Sequence, residues 1–99
     1  MTDGKTRHVR AGDSLSLAYN IEGAGEPLLM ISGMSSDRGL WGYVRPSLNE
    51  HYRTIAFDNR DAGASDRAGA GYAMVDLARD ALAVMDAADV EQAHVLGHS

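Results

Sequence analysis

Apolar and polar residues alternate along the first part of the chain. From Leu15 to Ile21 every second residue is leucine, tyrosine or isoleucine, and the residues between them are small or polar. A two-residue period indicates a strand with one buried face. The short polar segment 5–10 precedes this strand, and the turn residues 11–13 connect the two. The pattern therefore predicts an antiparallel hairpin over residues 5–22, with one buried face on its second strand.

Three further segments have the character of strands in a sheet. Leu28–Ile31 is apolar without alternation, as expected for a strand that is covered on both faces. Tyr52–Phe57 is the next predicted strand, and its apolar residues lie at its end. Ala93–Leu96 is a short apolar segment near the end of the sequence and predicts a last strand.

The segment between the third and fourth predicted strands has two short helical signals. Leu40, Trp41 and Val44 have the spacing of a single helical turn. Pro46 interrupts that turn, because proline lacks an amide hydrogen and restricts the residue before it. We expect Pro46 to open a second short helix that runs through Glu50.

The longest predicted helix covers residues 72–88, where the apolar residues recur at helical spacing. The predicted core side carries Met74, Ala78, Ala81 and Met85 with Leu77 and Leu82 beside them, and the other side carries Asp76, Arg79, Asp80 and Asp86.

The predicted order of elements is β-β-β-α-β-α-β. Strands that alternate with helices indicate right-handed crossovers and a mostly parallel sheet, here behind an antiparallel hairpin and with flanking helices. The predicted class is therefore α/β. Ligands of such sheets bind beyond the carboxyl ends of the strands. Three loops are expected there, at residues 32–37, 58–66 and 97–99.

Composition and charge exclude several classes of protein. The 99 residues carry a net charge of −5 and no cysteine. One small domain at most fits this length. Without cysteine this chain has no disulfide, zinc finger, iron–sulfur cluster or cysteine nucleophile, and we expect a cytoplasmic protein. An acidic chain cannot replace phosphate counterions, so no nucleic-acid partner is expected.

No membrane partner is expected either. Apolar runs such as Leu28–Ile31 are far shorter than a membrane span. Residues 1–10 lack the apolar stretch of a signal peptide. Because the sequence ends one residue after Gly97-His98, directly behind an apolar strand, we expect residues 1–99 to be the front portion of one longer domain.

One triplet stands out as a source of chemistry. Gly97-His98-Ser99 has the first three positions of the Gly-x-Ser-x-Gly elbow, in which a sharp strand-to-helix turn exposes a serine. The triplets 33–35 and 63–65 also have the Gly-x-Ser form, but they lack the second glycine. Ser99 is therefore the candidate nucleophile. His98 is a poor base for it, because adjacent residues on a tight turn point apart.

The other polar groups are interpreted as structural. His94 and His98 are four residues apart, but on a strand and a turn this spacing does not make a metal pair, so no metal or cofactor is predicted. Asp58, Asp61 and Asp66 lack the spacing of a calcium loop. They are expected to form loop hydrogen bonds, with Arg60 as an ion partner. Trp41 and the helix methionines are expected in the core.

Three stretches together resemble the α/β-hydrolase superfamily, and within it the single-domain branch of esterases, lactonases and cofactor-free haloperoxidases. Residues 28–41 are similar to the family's third strand, its oxyanion loop and the following tryptophan. Residues 52–66 are similar to its fourth strand and the loop Asp-x-Arg-Gly-x-Gly-x-Ser-Asp. Residues 72–99 are similar to its helix B, fifth strand and nucleophile elbow. The resemblance implies the N-terminal part of the α/β-hydrolase fold.

The resemblance also implies a mechanism. Ser99 is the nucleophile, and the backbone amide of Met34 supplies half of the oxyanion hole. The residue after Ser99 supplies the other half, and the family's acid and histidine lie later in the chain. A serine favours a small ester or lactone as substrate, attacked to give an acyl-serine intermediate. A carbon–carbon bond hydrolase, an acyltransferase and a non-catalytic ligand-binding homologue remain open alternatives.

Two positions depart from the family pattern. The usual His-Gly of the oxyanion loop is Ser32-Gly33, which leaves the backbone donor in place but changes how the loop is supported. The usual glycine after Arg60 is Asp61. Aspartate tolerates a positive φ better than most residues, so this change is expected to be accommodated.

Overall fold

A computed structural model describes residues 3–12, 15–33, 36–69 and 71–98 of the chain. The elements follow the predicted order. They are β1 (Arg7–Ala11), β2 (Leu15–Gly23), β3 (Glu26–Ile31), a 3₁₀ helix (Arg38–Tyr43), α1 (Arg45–Leu48), β4 (Tyr52–Phe57), α2 (Met74–Ala87) and β5 (His94–Gly97).

The five strands form one sheet in the order β1-β2-β4-β3-β5. β1, β2 and β4 pair antiparallel, whereas β3 is parallel to both β4 and β5. In the middle of the parallel part, Leu29 is aligned with Ile55 on one side and Val95 on the other. The predicted α/β class, with a hairpin leading into a mostly parallel sheet, is confirmed.

Helices cover both faces of the sheet, because alternate residues of β3 point to opposite sides. Leu29 faces α2, and Leu28 and Met30 face the 3₁₀ helix. The core on the α2 side includes Leu17, Tyr19, Ile21, Leu29, Ile55, Phe57, Ala81, Val84, Ala88 and Val90. The smaller core on the other side includes Leu28, Met30, Trp41 and Ala56. The prediction that Trp41 is a core residue is confirmed.

The prediction that β2 has only one buried face is wrong. Ala18 and Asn20, on its predicted exposed face, are also buried. The loop after β4 covers Ala18, whose amide donates to Ser65 Oγ at 2.8 Å and whose carbonyl accepts from the Asp58 amide at 2.9 Å. The residues between the large apolar residues of β2 are small or polar because they contact a polar loop, and not because they face solvent.

The prediction for the faces of α2 is also wrong in part. Ala81 and Val84 face the sheet as the core of the helix, whereas Met74 and Leu82 are 74% and 58% exposed. Asp80, expected on the polar side, is only 2% exposed. A buried carboxylate needs a partner, and Arg60 supplies it, as described below. No helix among the described residues is long and apolar enough to cross a membrane.

The side chain of Arg45 joins α1 to the antiparallel strands. It is 6% exposed, and its guanidinium donates to Asn20 Oδ1 at 2.9 Å and Thr54 Oγ1 at 2.9 Å. It also donates to the carbonyl oxygens of the same two residues. Burial lowers the pKa of Arg45, while the Glu22 carboxylate, 3.3 Å away, favours the charged form. Five fixed donors suit this multiple contact better than a lysine ammonium does.

Replacing Arg45 by leucine is expected to lower the free energy of unfolding by about 3 kcal/mol, because buried acceptors on β2 and β4 lose their donor. Arg45→Lys is expected to recover only part of this loss. Urea unfolding measures both. Arg67→Leu is the control, since Arg67 is exposed and donates only to the Gly63 carbonyl at 3.2 Å among the bonds described. Equal effects at positions 45 and 67 would contradict this account.

Candidate active site

The carboxyl ends of β3, β4 and β5 meet at one edge of the sheet. Ile31, the last residue of β3, is aligned with Gly97, the last residue of β5. One residue further, the amide of His98 donates to the Ile31 carbonyl at 3.0 Å. His98, which precedes Ser99, is therefore hydrogen-bonded to Ile31, which precedes the loop 32–37.

Both predicted site residues, Ser99 and Met34, lie outside the described residues. Their neighbours are described. Gly33 and Ser36 are the described residues on the two sides of Met34, and the amide of Ser36 donates to the Gly33 carbonyl at 3.0 Å. His98 precedes the other. Gly33 and His98, which precede the two predicted groups, thus follow the ends of two adjacent strands of the sheet.

Two buried polar side chains anchor the beginning of the loop 32–37. The hydroxyl of Ser32 donates to the carbonyl of Asp37 at 3.2 Å, which connects the two ends of the loop. Asn59, two residues after β4, donates from Nδ2 to the carbonyl of Ser32 at 2.8 Å. Ser32 and Asn59 are 3% and 6% exposed. The role of Asn59 could not be predicted from the sequence, because no neighbouring residue indicates that its partner is the backbone carbonyl of another loop.

A buried ion pair holds the far end of the same loop. The carboxylate of Asp58 is 2% exposed and accepts from the Arg38 amide at 2.7 Å and the Arg38 guanidinium at 2.5 Å. It also accepts from the Ala64 amide at 2.9 Å. Arg38 in turn donates to Thr6 Oγ1 at 2.7 Å. These bonds connect the loops after β3 and β4 to the start of the chain.

Gly63 makes this pair possible. Its φ is +49°, in the left-handed region, and a Cβ at this position would overlap the Asp58 carboxylate. The nearby serine of the second Gly-x-Ser triplet, Ser65, is buried and donates to the Asp58 carbonyl at 2.6 Å. Ser65 is therefore a structural residue.

Arg60 has a different partner from the one predicted. Its guanidinium forms two bonds to the Asp80 carboxylate, at 2.7 and 2.8 Å, rather than pairing with the loop aspartates. The hydrogen bonds that Arg60 donates to the Asp80 carboxylate raise the pKa of Arg60. The guanidinium also lies 5.0 Å from the centroid of the Tyr72 ring. Arg60 thereby attaches the loop after β4 to α2, and a bidentate pair of this kind fixes orientation as well as distance.

Asp61 adopts the positive φ expected for its position, +68°. Its carboxylate accepts from the Ala68 amide at 2.6 Å and the Gly69 amide at 3.1 Å. Both bonds lower the pKa of Asp61, and the bond from Gly69 has the larger effect. Asp66 accepts from the Ser16 amide at 2.9 Å. The prediction of loop hydrogen bonds for the aspartates is confirmed.

His94 is the first residue of β5, and His98 follows its last residue. His94 contacts Glu26 at 3.2 Å, and its ring lies edge-on to Tyr52. The ring of His98 lies edge-on to Trp41, with 6.3 Å between centroids. Among the described residues, no group of three or more histidine or acidic side chains could hold a metal ion.

A groove of about 570 Å³ separates α2 from the strand ends. It lies beside the loop 32–37 and the end of β5. Its walls are mostly apolar and comprise Ile31, Ser32, Gly33, Asn59, Met74, Leu77, Ala78, Ala81 and His98.

The chain is similar to several known proteins. Residues 26–99 match the family model for the alpha/beta hydrolase fold. RutD from Azorhizobium caulinodans, assigned as a carbamate hydrolase, is 38% identical over 88 residues, which cover 89% of this chain and 33% of RutD.

Solved structures agree with this sequence match. A hydrolase from Pseudomonas aeruginosa superposes with a TM-score of 0.92 at 31% identity, over 99% of this chain and 38% of that one. Est816, an N-acyl homoserine lactone degrading enzyme, superposes with a TM-score of 0.87 at 30% identity, over 94% of this chain and 36% of its own. The chain spans about a third of the length of the relatives that it matches. By sequence and by structure, the chain belongs to the α/β-hydrolase fold family.

Proposed function

We propose that this chain is the N-terminal third of a serine hydrolase that cleaves small esters or lactones through an acyl-serine intermediate. Ser99 is the nucleophile, and the Met34 backbone amide is one oxyanion donor. The observation that carries the proposal is the hydrogen bond between His98 and Ile31. It supports the proposal because it joins the strand that leads to Ser99 to the strand that leads to Met34. A cytoplasmic location is part of the same proposal.

The reaction follows from these roles. The Ser99 oxygen attacks the carbonyl carbon, and its proton passes to a histidine later in the protein. The carbonyl oxygen becomes an oxyanion that accepts hydrogen bonds from the two backbone amides. The bond to the leaving alcohol then breaks, and the histidine returns the proton to that alcohol. Water attacks the acyl-serine in the same way and releases the acid.

Relatives support this chemistry and suggest a second substrate. Est816 is an N-acyl homoserine lactone degrading enzyme, which favours an ester or lactone carbonyl. RutD is assigned to carbamates, and a carbamate carbonyl is attacked by the same nucleophile and oxyanion hole. Rates on p-nitrophenyl acetate and on a p-nitrophenyl N-alkylcarbamate, compared in the full-length protein, distinguish the two.

The remaining part of the protein is proposed to cover the apolar surfaces that this chain exposes. β5 is an edge strand, and its residues Val95 and Leu96 are 62% and 37% exposed. Met74 and Leu82 of α2 are exposed as well. Exposed apolar residues on an unpaired strand and on a helix are the positions at which we expect another segment to dock. The relatives, about three times as long, have the additional chain for this.

Ser99→Ala in the full-length protein is expected to abolish hydrolysis of p-nitrophenyl esters and labelling by a fluorophosphonate, because both require a serine oxygen as nucleophile. Turnover and active-site labelling measure the two effects. Ser65→Ala is the control, since Ser65 is a buried serine that bonds to backbone groups. Unchanged turnover and labelling in Ser99→Ala would mean that the nucleophile is wrongly assigned.

Met34→Ala is expected to change kcat by less than about threefold, because the proposed donor is the backbone amide. Met34→Pro, which deletes that amide, is expected to lower kcat by about 100-fold or more. Steady-state kinetics on one ester measure both, and circular dichroism checks that both variants fold. Equal losses in two folded variants would contradict the oxyanion role.

Residues 1–99 alone are expected to be inactive and only marginally folded. We expect Ser99 to lack a base in this segment, because the resemblance places the family's histidine later in the chain and His98 is the sequence neighbour of Ser99. The exposed edge of β5 favours aggregation. Esterase assays and hydrogen exchange test this, with weak protection expected in residues 93–99. A monomeric, cooperatively folded segment with Ser99-dependent turnover would overturn the expectation.

A further inference from the structure

The loop that carries Met34 depends on two side chains in this chain. Ser32 stands where the resemblance led us to expect histidine, and its hydroxyl spans the loop to the Asp37 carbonyl at 3.2 Å. Asn59 approaches from β4 and donates to the Ser32 carbonyl at 2.8 Å. Both side chains are almost completely buried. Their bonds are therefore shielded from competition with water.

The anchored peptide lies directly before the predicted donor. Asn59 fixes the peptide group that joins Ser32 to Gly33. Gly33 has the widest range of backbone angles of any residue type. The amide of the residue after a glycine keeps its direction only if the peptide groups before and after that glycine are both held in place. The bond from Ser36 to the Gly33 carbonyl, at 3.0 Å, supplies a further constraint.

We propose that Ser32 and Asn59 are positioning residues for the oxyanion-donating amide of Met34. This inference rests on the proposed function. Neither side chain needs to touch the substrate. Ser32 sets the separation of the two ends of the loop, and Asn59 sets the orientation of its first peptide relative to β4. An oxyanion hole is effective only when its donors are fixed before the charge develops.

This role predicts which kinetic constant changes. The oxyanion exists in the transition state and not in the bound ester, so a misdirected amide lowers kcat and leaves KM unchanged. Small displacements of an oriented group are costly for the rate. A purely structural role for Ser32 and Asn59 lowers the unfolding free energy without this selective loss of kcat.

The first test compares Ser32→Val with Ser32→Thr in the full-length protein. The two side chains have nearly the same shape, but only threonine keeps the hydroxyl. With p-nitrophenyl acetate, the valine variant is expected to lose about 10-fold in kcat at unchanged KM, and the threonine variant is expected to stay within about twofold of wild type. If the valine variant does not fold, Ser32→Ala takes its place in the comparison.

The second test compares Asn59→Ala with Asn20→Ala. Both asparagines are buried, but Asn20 contacts Arg45 on the other side of β4 and not the loop 32–37. Asn59→Ala is expected to lower kcat by about 10-fold. Asn20→Ala is expected to lower the urea midpoint with kcat unchanged. This control separates lost stability from a misplaced amide.

Affinity for a trifluoromethyl ketone gives an independent readout, because its adduct with serine carries the oxyanion. Ser32→Val and Asn59→Ala are expected to weaken its inhibition constant by the same factor as kcat, with inhibition by the product alcohol unchanged. Folded variants that keep wild-type kcat and ketone affinity would overturn the inference, even if Ser99→Ala is inactive. Full activity in Ser99→Ala would instead refute the proposed function itself.

Discussion

The parallel alignment of β3 with both of its neighbours is the constraint on which the rest of this structure depends. Because all three strands run in the same direction, they end at one edge, and the segments that follow them meet there. The bond from His98 to Ile31 extends this alignment by one residue. The site is therefore assembled by strand register, and the loops need only be held in place.

Two arginines hold the loops and a third holds α1, and each bonds to a buried partner on another element. Arg38 bonds to Asp58, Arg60 bonds to Asp80, and Arg45 bonds to Asn20 and Thr54. Each buried carboxylate accepts several hydrogen bonds, which offsets the cost of removing its charge from water. These pairs fix the loops with directional contacts where apolar packing alone would leave them free to slide.

The sequence alone was sufficient to predict the strands, the order of the elements along the chain and the turn residues, because each rests on local hydrophobic patterns or on the conformational limits of single residues. Asp61 is an example, since its tolerance of a positive φ is a property of aspartate itself. The partners of Arg60 and Asn59 could not be predicted in this way. Asp80 has the polarity of a surface residue, and only the packing of α2 against the sheet shows that it is buried.

The predicted groups at Ser99 and Met34 lie outside the described residues and stay predictions. What the structure adds is the scaffold on either side of them.

The burial of both faces of β2 has the same origin as the unpredicted ion pairs, because the loop after β4 folds back over Ala18 instead of leaving the sheet open to solvent.

The strand order has a consequence for the time course of folding. β1 and β2 are adjacent in sequence and in space, so their hairpin can form as soon as both have been synthesised. β3 can pair with β4 once the short helical segment between them is complete. Its other edge stays open until β5 appears, since Leu28 pairs with His94 far along the chain. Contacts of such long sequence separation form late. β3 thus has an unpaired edge throughout the synthesis of α2, and this edge is then open to mispairing.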